Sequence, residues 1–377
     1  MSVGGSVEKP RFFIDLLNYQ YNIGNVGTVA THNWHNGEMH PYVLGLSPTK
    51  PFESVALDNA GDTIYFRIGF KYPISLPSKN MFLAILGHNF ASKEYGFDMY
   101  FEYLSTTPNG EAWKNPTASN TQNYHYEIVN GEGVVRVVHP SYDGWSLGRF
   151  DPDIIDDISG IVVRVKNVSL GHSFKIGGIA IGMIYEPEFH ADLAVTQSRI
   201  MDGIKNKQTK GGHTYSVINY TKPPNWWNGS PFELTPPSSS QVAYSNARIG
   251  RRSWNVGFSQ LSDRFYTDGL PNGVFPANDM VNNYLGDAVN GGYLDEDMYV
   301  PDGSGVGEFN YNINTDNSLY STVYHHSLGG TLPYLFSPSQ DNSPQNFAIC
   351  RFDKPGFKVT QKSHKKFNIK MKINESW

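Results

Sequence analysis

The chain has 377 residues and a formal charge of −5, with 17% charged and 14% aromatic side chains. The charged fraction lies under the roughly 25% of ordinary soluble domains. That predicts a neutral, polar and aromatic surface suited to permanent subunit contact, and it excludes a chain-wide field for neutralising phosphates while leaving room for a local basic patch. A single cysteine, Cys350, excludes an intramolecular disulfide and metal sites built on two or four cysteines.

Length predicts two or three domains at about 100 to 200 residues each. Residues Met1 to Pro10 place no apolar stretch behind a basic one, so no secretory leader is expected. The longest apolar runs, Met81 to Leu86 and Ile176 to Tyr185, fall short of the about 18 residues of a membrane span.

Helical periodicity is nearly absent, and short alternating or continuous apolar runs separated by Gly, Pro, Asn and Asp predict an all-β protein. Arg11 to Tyr19 is too apolar for a free arm. Residues 1–45 are therefore expected to pack with a C-terminal sandwich, with a jelly-roll inserted between them. The jelly-roll is assigned to 46–187, with strands at Thr63 to Ile68, Met81 to Leu86, Gly96 to Phe101, Val134 to Val138, Gly160 to Val165 and Phe174 to Tyr185. The last of these is apolar on both faces, and Pro187 closes it.

A second β-sandwich is assigned to 188–377. It opens with a polar stretch, Asp202 to Gly212, and a turn-rich one, Thr221 to Pro231; strands follow at Val242 to Tyr244 and Ser253 to Phe258. Residues 263–316, dense in Asn, Asp, Gly and Pro, read as a long excursion from the core and a candidate contact loop. The chain ends on a strictly alternating strand, with Phe367, Ile369, Met371 and Ile373 on one face and Asn368, Lys370, Lys372 and Asn374 on the other. No fixed-period repeat or contiguous charge block interrupts this pattern.

Catalytic signals are sparse. No Gly-x-Ser-x-Gly elbow is present, and Cys350 lies in the apparent strand Phe347 to Phe352 as a core thiol. His32, His35, Glu38 and His40 could hold a divalent metal but follow no established spacing, so a polar loop is expected. Asp151, Asp153, Asp156 and Asp157, and the run Asp295, Glu296, Asp297, read as solvated loop acids; the run lacks the alternating ligands of a calcium loop. With no leader expected, the sequons at Asn167 and Asn228 are expected to be accidental matches. Trp226 and Trp227, behind two prolines, and Trp145 are candidates for stacking on sugar rings; packing is the competing reading. Arg248, Arg251 and Arg252 form a small basic cluster that could pair with carboxylates of another subunit.

Three segments carry a resemblance: Gly250 to Ser262, Tyr324 to Phe336 with its Gly-Gly turn and Leu-Pro-Tyr-Leu-Phe run, and Phe347 to Phe352 before the closing strand. In this order they resemble minor tail proteins of tailed bacteriophages. Leu83 to Ser92 and Lys175 to Ile184 are similar to a jelly-roll segment of such proteins, itself akin to carbohydrate-binding modules. The resemblance implies a virion structural protein of the tail, baseplate or tail adaptor. It would be made in the host cytoplasm, need no cofactor, have no catalytic activity, and have copies of itself and other tail proteins as partners. The alternatives are a carbohydrate-binding or host-receptor-binding tail component that contacts a host-surface glycan, and, more remotely, a polysaccharide-degrading enzyme.

Overall fold

The computed structural model describes residues 9–32, 41–46, 52–53, 62–76, 80–90, 92–103, 125–126, 144–150, 158–168, 175–187, 190–192, 195–200, 204–218, 251–262, 319–339, 347–356, 358–363 and 366–376. The fold is all-β. The strands are β1 (Arg11–Asp15), β2 (Val26–His32), β3 (Phe52–Glu53), β4 (Asp62–Ile74), β5 (Met81–His88), β6 (Gly96–Tyr103), β7 (His125–Tyr126), β8 (Gly144–Phe150), β9 (Ile158–Val168), β10 (Lys175–Ile176), β11 (Gly178–Tyr185), β12 (Thr196–Ile200), β13 (Ile204–Gln208), β14 (Thr214–Ile218), β15 (Arg251–Ser262), β16 (Tyr334–Ser337), β17 (Ala348–Phe352), β18 (Val359–Ser363) and β19 (Lys366–Glu375). A short helix α1 (Leu16–Asn22), a 3-10 turn (Pro41–Leu44) and a π-helical turn (Leu319–His325) join them.

Two sheets hold fifteen of these strands, while β3 pairs with β10 and β13 with β14. A ten-stranded sheet runs β12-β15-β19-β17-β16-β1-β11-β5-β8, with β18 added on β19, and a five-stranded sheet runs β2-β4-β9-β6-β7. From β4 to β11 the chain crosses repeatedly between them: β4, β6, β7 and β9 join the small sheet, and β5, β8 and β11 the large one. With β1 as the eighth strand, each sheet holds four, which is the double Greek key of a jelly-roll. Ile64, Phe66 and Ile68 of β4 and Val163 and Val165 of β9 face Leu83 and Ile85 of β5 and Ile179 and Ile181 of β11 across its core.

The jelly-roll therefore starts at β1, not at residue 46. The N-terminal segment divides its pairing. β2 extends the small sheet along β4, and Leu16, Leu17 and Tyr19 of α1 enter the jelly-roll core. β1 itself pairs on one side with β11 (Phe13↔Ile184) and on the other with β16 (Phe13↔Leu335). The sheet thus runs unbroken past the boundary placed at Pro187, and β1 is its seam. Of the segment assigned to a second sandwich, the described strands β12, β15, β16, β17 and β19 extend the jelly-roll's own sheet. The expected strands at 134–138 and 242–244, and the excursion 263–316, lie outside the described residues.

Alternation decides which side chains enter which layer. On β1, Phe12 and Ile14 join a second core with Trp254, Val256, Phe258, Phe336, Ile369, Met371 and Ile373, covered by Leu319 and Val323 of the π-helical turn. Phe13 points to the opposite face, against Phe82 edge-on at 5.4 Å and beside Leu335 and Ile349. Where β1 ends, Asp15 caps α1, its Oδ1 accepting from the amides of Leu17 (3.0 Å) and Asn18 (3.2 Å). Gly182 lies beneath this turn. A Cβ there would fall 1.9 Å from the Ile14 carbonyl oxygen, so only glycine lets β11 pass.

Candidate functional site

At the C-terminal end of the large sheet, register builds a polar row that is exposed at Arg199 and buried from Arg252 inward. Arg199 of β12 stands opposite Arg252 of β15, Cys350 of β17 opposite Glu375 of β19, and Tyr334 of β16 opposite Cys350. Arg252 Nε donates to Glu375 Oε1 at 2.6 Å, and the Arg252 amide donates to the other carboxylate oxygen. Arg252 Nη2 donates to the Phe347 carbonyl at 3.0 Å, and the guanidinium lies 5.3 Å over the Trp254 ring. The carboxylate is fully enclosed and the guanidinium side chain is 7% exposed. Burial pushes the Glu375 carboxyl up, against the pull of Arg252.

Expected as a subunit contact, Arg252 instead holds its own chain together. Its neighbour Arg251 is half-buried and stands opposite Ile200. Burial, with Glu375 adding to it, raises the Cys350 thiol well above its ordinary range, so it is a core thiol and not a nucleophile. Trp145 lies in β8 opposite Leu86, on the far edge of the same sheet from β12. The structure does not bring Trp145 and the arginines together. Trp226, Trp227 and Arg248 lie outside the described residues. So do His35, Glu38, His40, Asn228 and the acids at 151–157 and 295–297; His32 ends β2, and Asn167 lies within β9.

A second cluster, which the sequence reading did not single out, joins α1 to the π-helical turn. The Tyr19 hydroxyl and His325 Nε2 are 2.7 Å apart. The Tyr19 ring meets His326 edge-on at 4.8 Å, and His326 Nδ1 donates to the Ser321 carbonyl at 2.5 Å. Burial depresses both imidazoles, His326 to about 3, and raises the Tyr19 phenol. Burial thus favours the neutral form of all three groups, and the Tyr19–His325 contact ties α1 to the π-helical turn. Three consecutive left-handed residues, Leu328, Gly329 and Gly330, close the turn. At Gly330 a Cβ would fall 2.3 Å from the Phe352 ring.

Exposed elements gather beyond the polar row. All five residues of the edge strand β12 are exposed. The ribbon β13–β14 follows, paired only with itself among the described strands, from Ile204↔Ile218 to Gln208↔Thr214. Residues 206–216 are exposed throughout, including Lys207, Lys210 and Tyr215, the last at 63%. Among the described residues no group of three or more His, Cys, Asp or Glu is arranged to hold a metal, and no helix is long and apolar enough to cross a membrane.

No protein-family model matches the chain, and no curated protein matches it. Among solved structures, it is similar to the glycoside hydrolase domain of Endo-D from Streptococcus pneumoniae R6. That likeness has 15% identity and a TM-score of 0.21, and it covers 55% of this chain and 30% of that one. It carries no argument about fold or activity.

Proposed function

We propose that this chain is a structural subunit that acts by assembling with copies of itself, in the tail, baseplate or tail adaptor of a bacteriophage particle, without catalysing a reaction. The carrying observation is the ribbon β13–β14. A two-stranded ribbon is at best marginally stable in water, and residues 206–216 of this one are exposed throughout, with no second layer over them among the described residues. It follows an edge strand whose backbone groups are suited to pairing or docking. An arm of this kind gains its stability against a neighbour. The virion placement rests on the resemblance of residues 250–262, 324–336 and 347–352 to tail proteins.

The test is to replace residues 204–218 by a short Gly-Ser linker and measure the mass in solution by light scattering and the incorporation into particles. Loss of assembly with an unchanged melting temperature is expected. A parent that is monomeric and absent from particles overturns the reading, and glycan binding by such a monomer would identify a receptor-binding module instead.

A further inference from the structure

We infer that the outer face of the β18–β19 hairpin is the docking surface for residues 263–316 of a second copy of this chain, an inference that rests on the assembly reading above. Charge is sharply divided along the sequence. Residues 263–316 hold ten acidic side chains and one arginine, a net −9 in a chain of net −5, so all remaining residues together carry +4. Apart from the run Asp295, Glu296 and Asp297, the acids are spread along the segment. The opposite sign concentrates at the other end: residues 354–374 contain seven lysines and no acid.

The structure puts Lys362, Lys366, Lys370 and Lys372 on one hairpin, with Lys358 just before it. Phe367, Ile369, Met371 and Ile373 point into the core, so Lys370 and Lys372 point out. Lys358 and Lys362, flanking and within β18, are also exposed. Lys372 pairs with Asp353 at 3.1 Å, whereas among the described residues Lys358, Lys362 and Lys370 have no ion pair. Among the described residues two acids border the face, Asp353 and Asp192; Asp192 lies over Gly257, the register partner of Lys370, and accepts from Ser259. The balance of the face remains positive.

The acidic segment departs from Ser262, opposite Lys366 at the start of β19. Each copy thus carries an acidic donor and a basic acceptor rooted on the same sheet. A donor on one copy and a different acceptor on the next is a heterologous contact, which closes into a ring where the rotation permits. Its range in 0.1 M salt is limited to about 10 Å, so the contact requires the segment to lie on the face itself.

The experiment compares the full-length parent with two charge-reversed chains, K358E/K362E/K370E and D295K/E296K/D297K, by sedimentation velocity at 50 and 500 mM NaCl. Lys358, Lys362 and Lys370 are exposed, so their substitution should leave the fold intact, and unchanged melting temperatures of both variants are required. The expected result is an oligomeric parent that dissociates at 500 mM, two variants that are each monomeric at 50 mM, and oligomers restored when the variants are mixed. A mixture that stays monomeric places the contact within one chain and overturns the inference. Variants that assemble like the parent overturn it while leaving the assembly reading standing, and so does a variant hairpin that loses only binding to a single-stranded DNA probe. A monomeric parent overturns the inference, and one that is also absent from particles overturns both.

Discussion

Breaking the Arg252–Glu375 pair tests whether the polar row is a core element or a subunit contact. The carboxylate is sealed from water and the guanidinium almost so, with Nε and Oε1 2.6 Å apart. At about 4 Å between charge centres and an effective dielectric of about 20, their attraction is about 4 kcal/mol. Most of it offsets desolvation, so removing one partner should cost about 3 to 5 kcal/mol, whereas replacing both by methionine should cost much less. The two single variants differ in kind. Glu375→Met strands a guanidinium that cannot lose its proton, while Arg252→Met strands a carboxyl already biased toward the neutral form. The cost of Arg252→Met should therefore shrink from pH 8 to pH 5, and that of Glu375→Met should not. Urea unfolding of the parent, both single variants and the double variant, followed by tryptophan fluorescence at two protein concentrations, yields the coupling energy. Single costs below about 1 kcal/mol, or additive losses, would refute the buried pair. Losses that vanish on raising protein concentration would return Arg252 to the interface.

Two further outcomes follow from the same geometry. Met371→Asp places a carboxylate in the second core beside Val256 and Ile369 and should lower unfolding stability by several kcal/mol; a melting curve like the parent's would contradict the inward assignment of β19. Asp15→Asn keeps an acceptor for the Leu17 and Asn18 amides but removes a carboxyl that burial pushes up to about 8. Between about pH 4 and 8 the native state holds that proton after the unfolded chain has lost it, so the parent loses stability as pH rises through this window. The variant should gain on the parent by about 1.4 kcal/mol per pH unit from pH 5 to 7, and parallel stability curves would sink the assignment.

The parts legible in the sequence are those set by local phase. Alternation along Phe367 to Ile373 predicts the inward and outward faces of β19, and the doubly apolar run from Ile176 to Tyr185 predicts a strand covered on both sides, as β11 is. Arg252 was legible too: it shares its phase with Trp254, Val256 and Phe258, so it must point inward with them, and Glu375 shares the phase of Ile373. Adjacency to Arg248 and Arg251 instead suggested a surface cluster. What local phase cannot carry is pairing at long range. The apolar character of Arg11 to Tyr19 announces a buried segment, but nothing in it tells that β1 joins strands from both halves, or that Tyr19 meets His325, 306 positions away.

The seam strand has a consequence for how the chain emerges from the ribosome. β1 is made first, yet the register partner of Arg11 on its far side, Ser337, comes 326 positions later. At roughly 5 to 20 residues per second the wait is roughly 16 to 65 s. Throughout it, a jelly-roll already zipped along β11 would offer β1 as a bare edge to any passing strand. Two nascent chains on one message would present matching edges at high local concentration. Exchange of β16 between them, a swapped dimer, is then the characteristic misassembly of this architecture, and slower translation ahead of residue 334 should increase it.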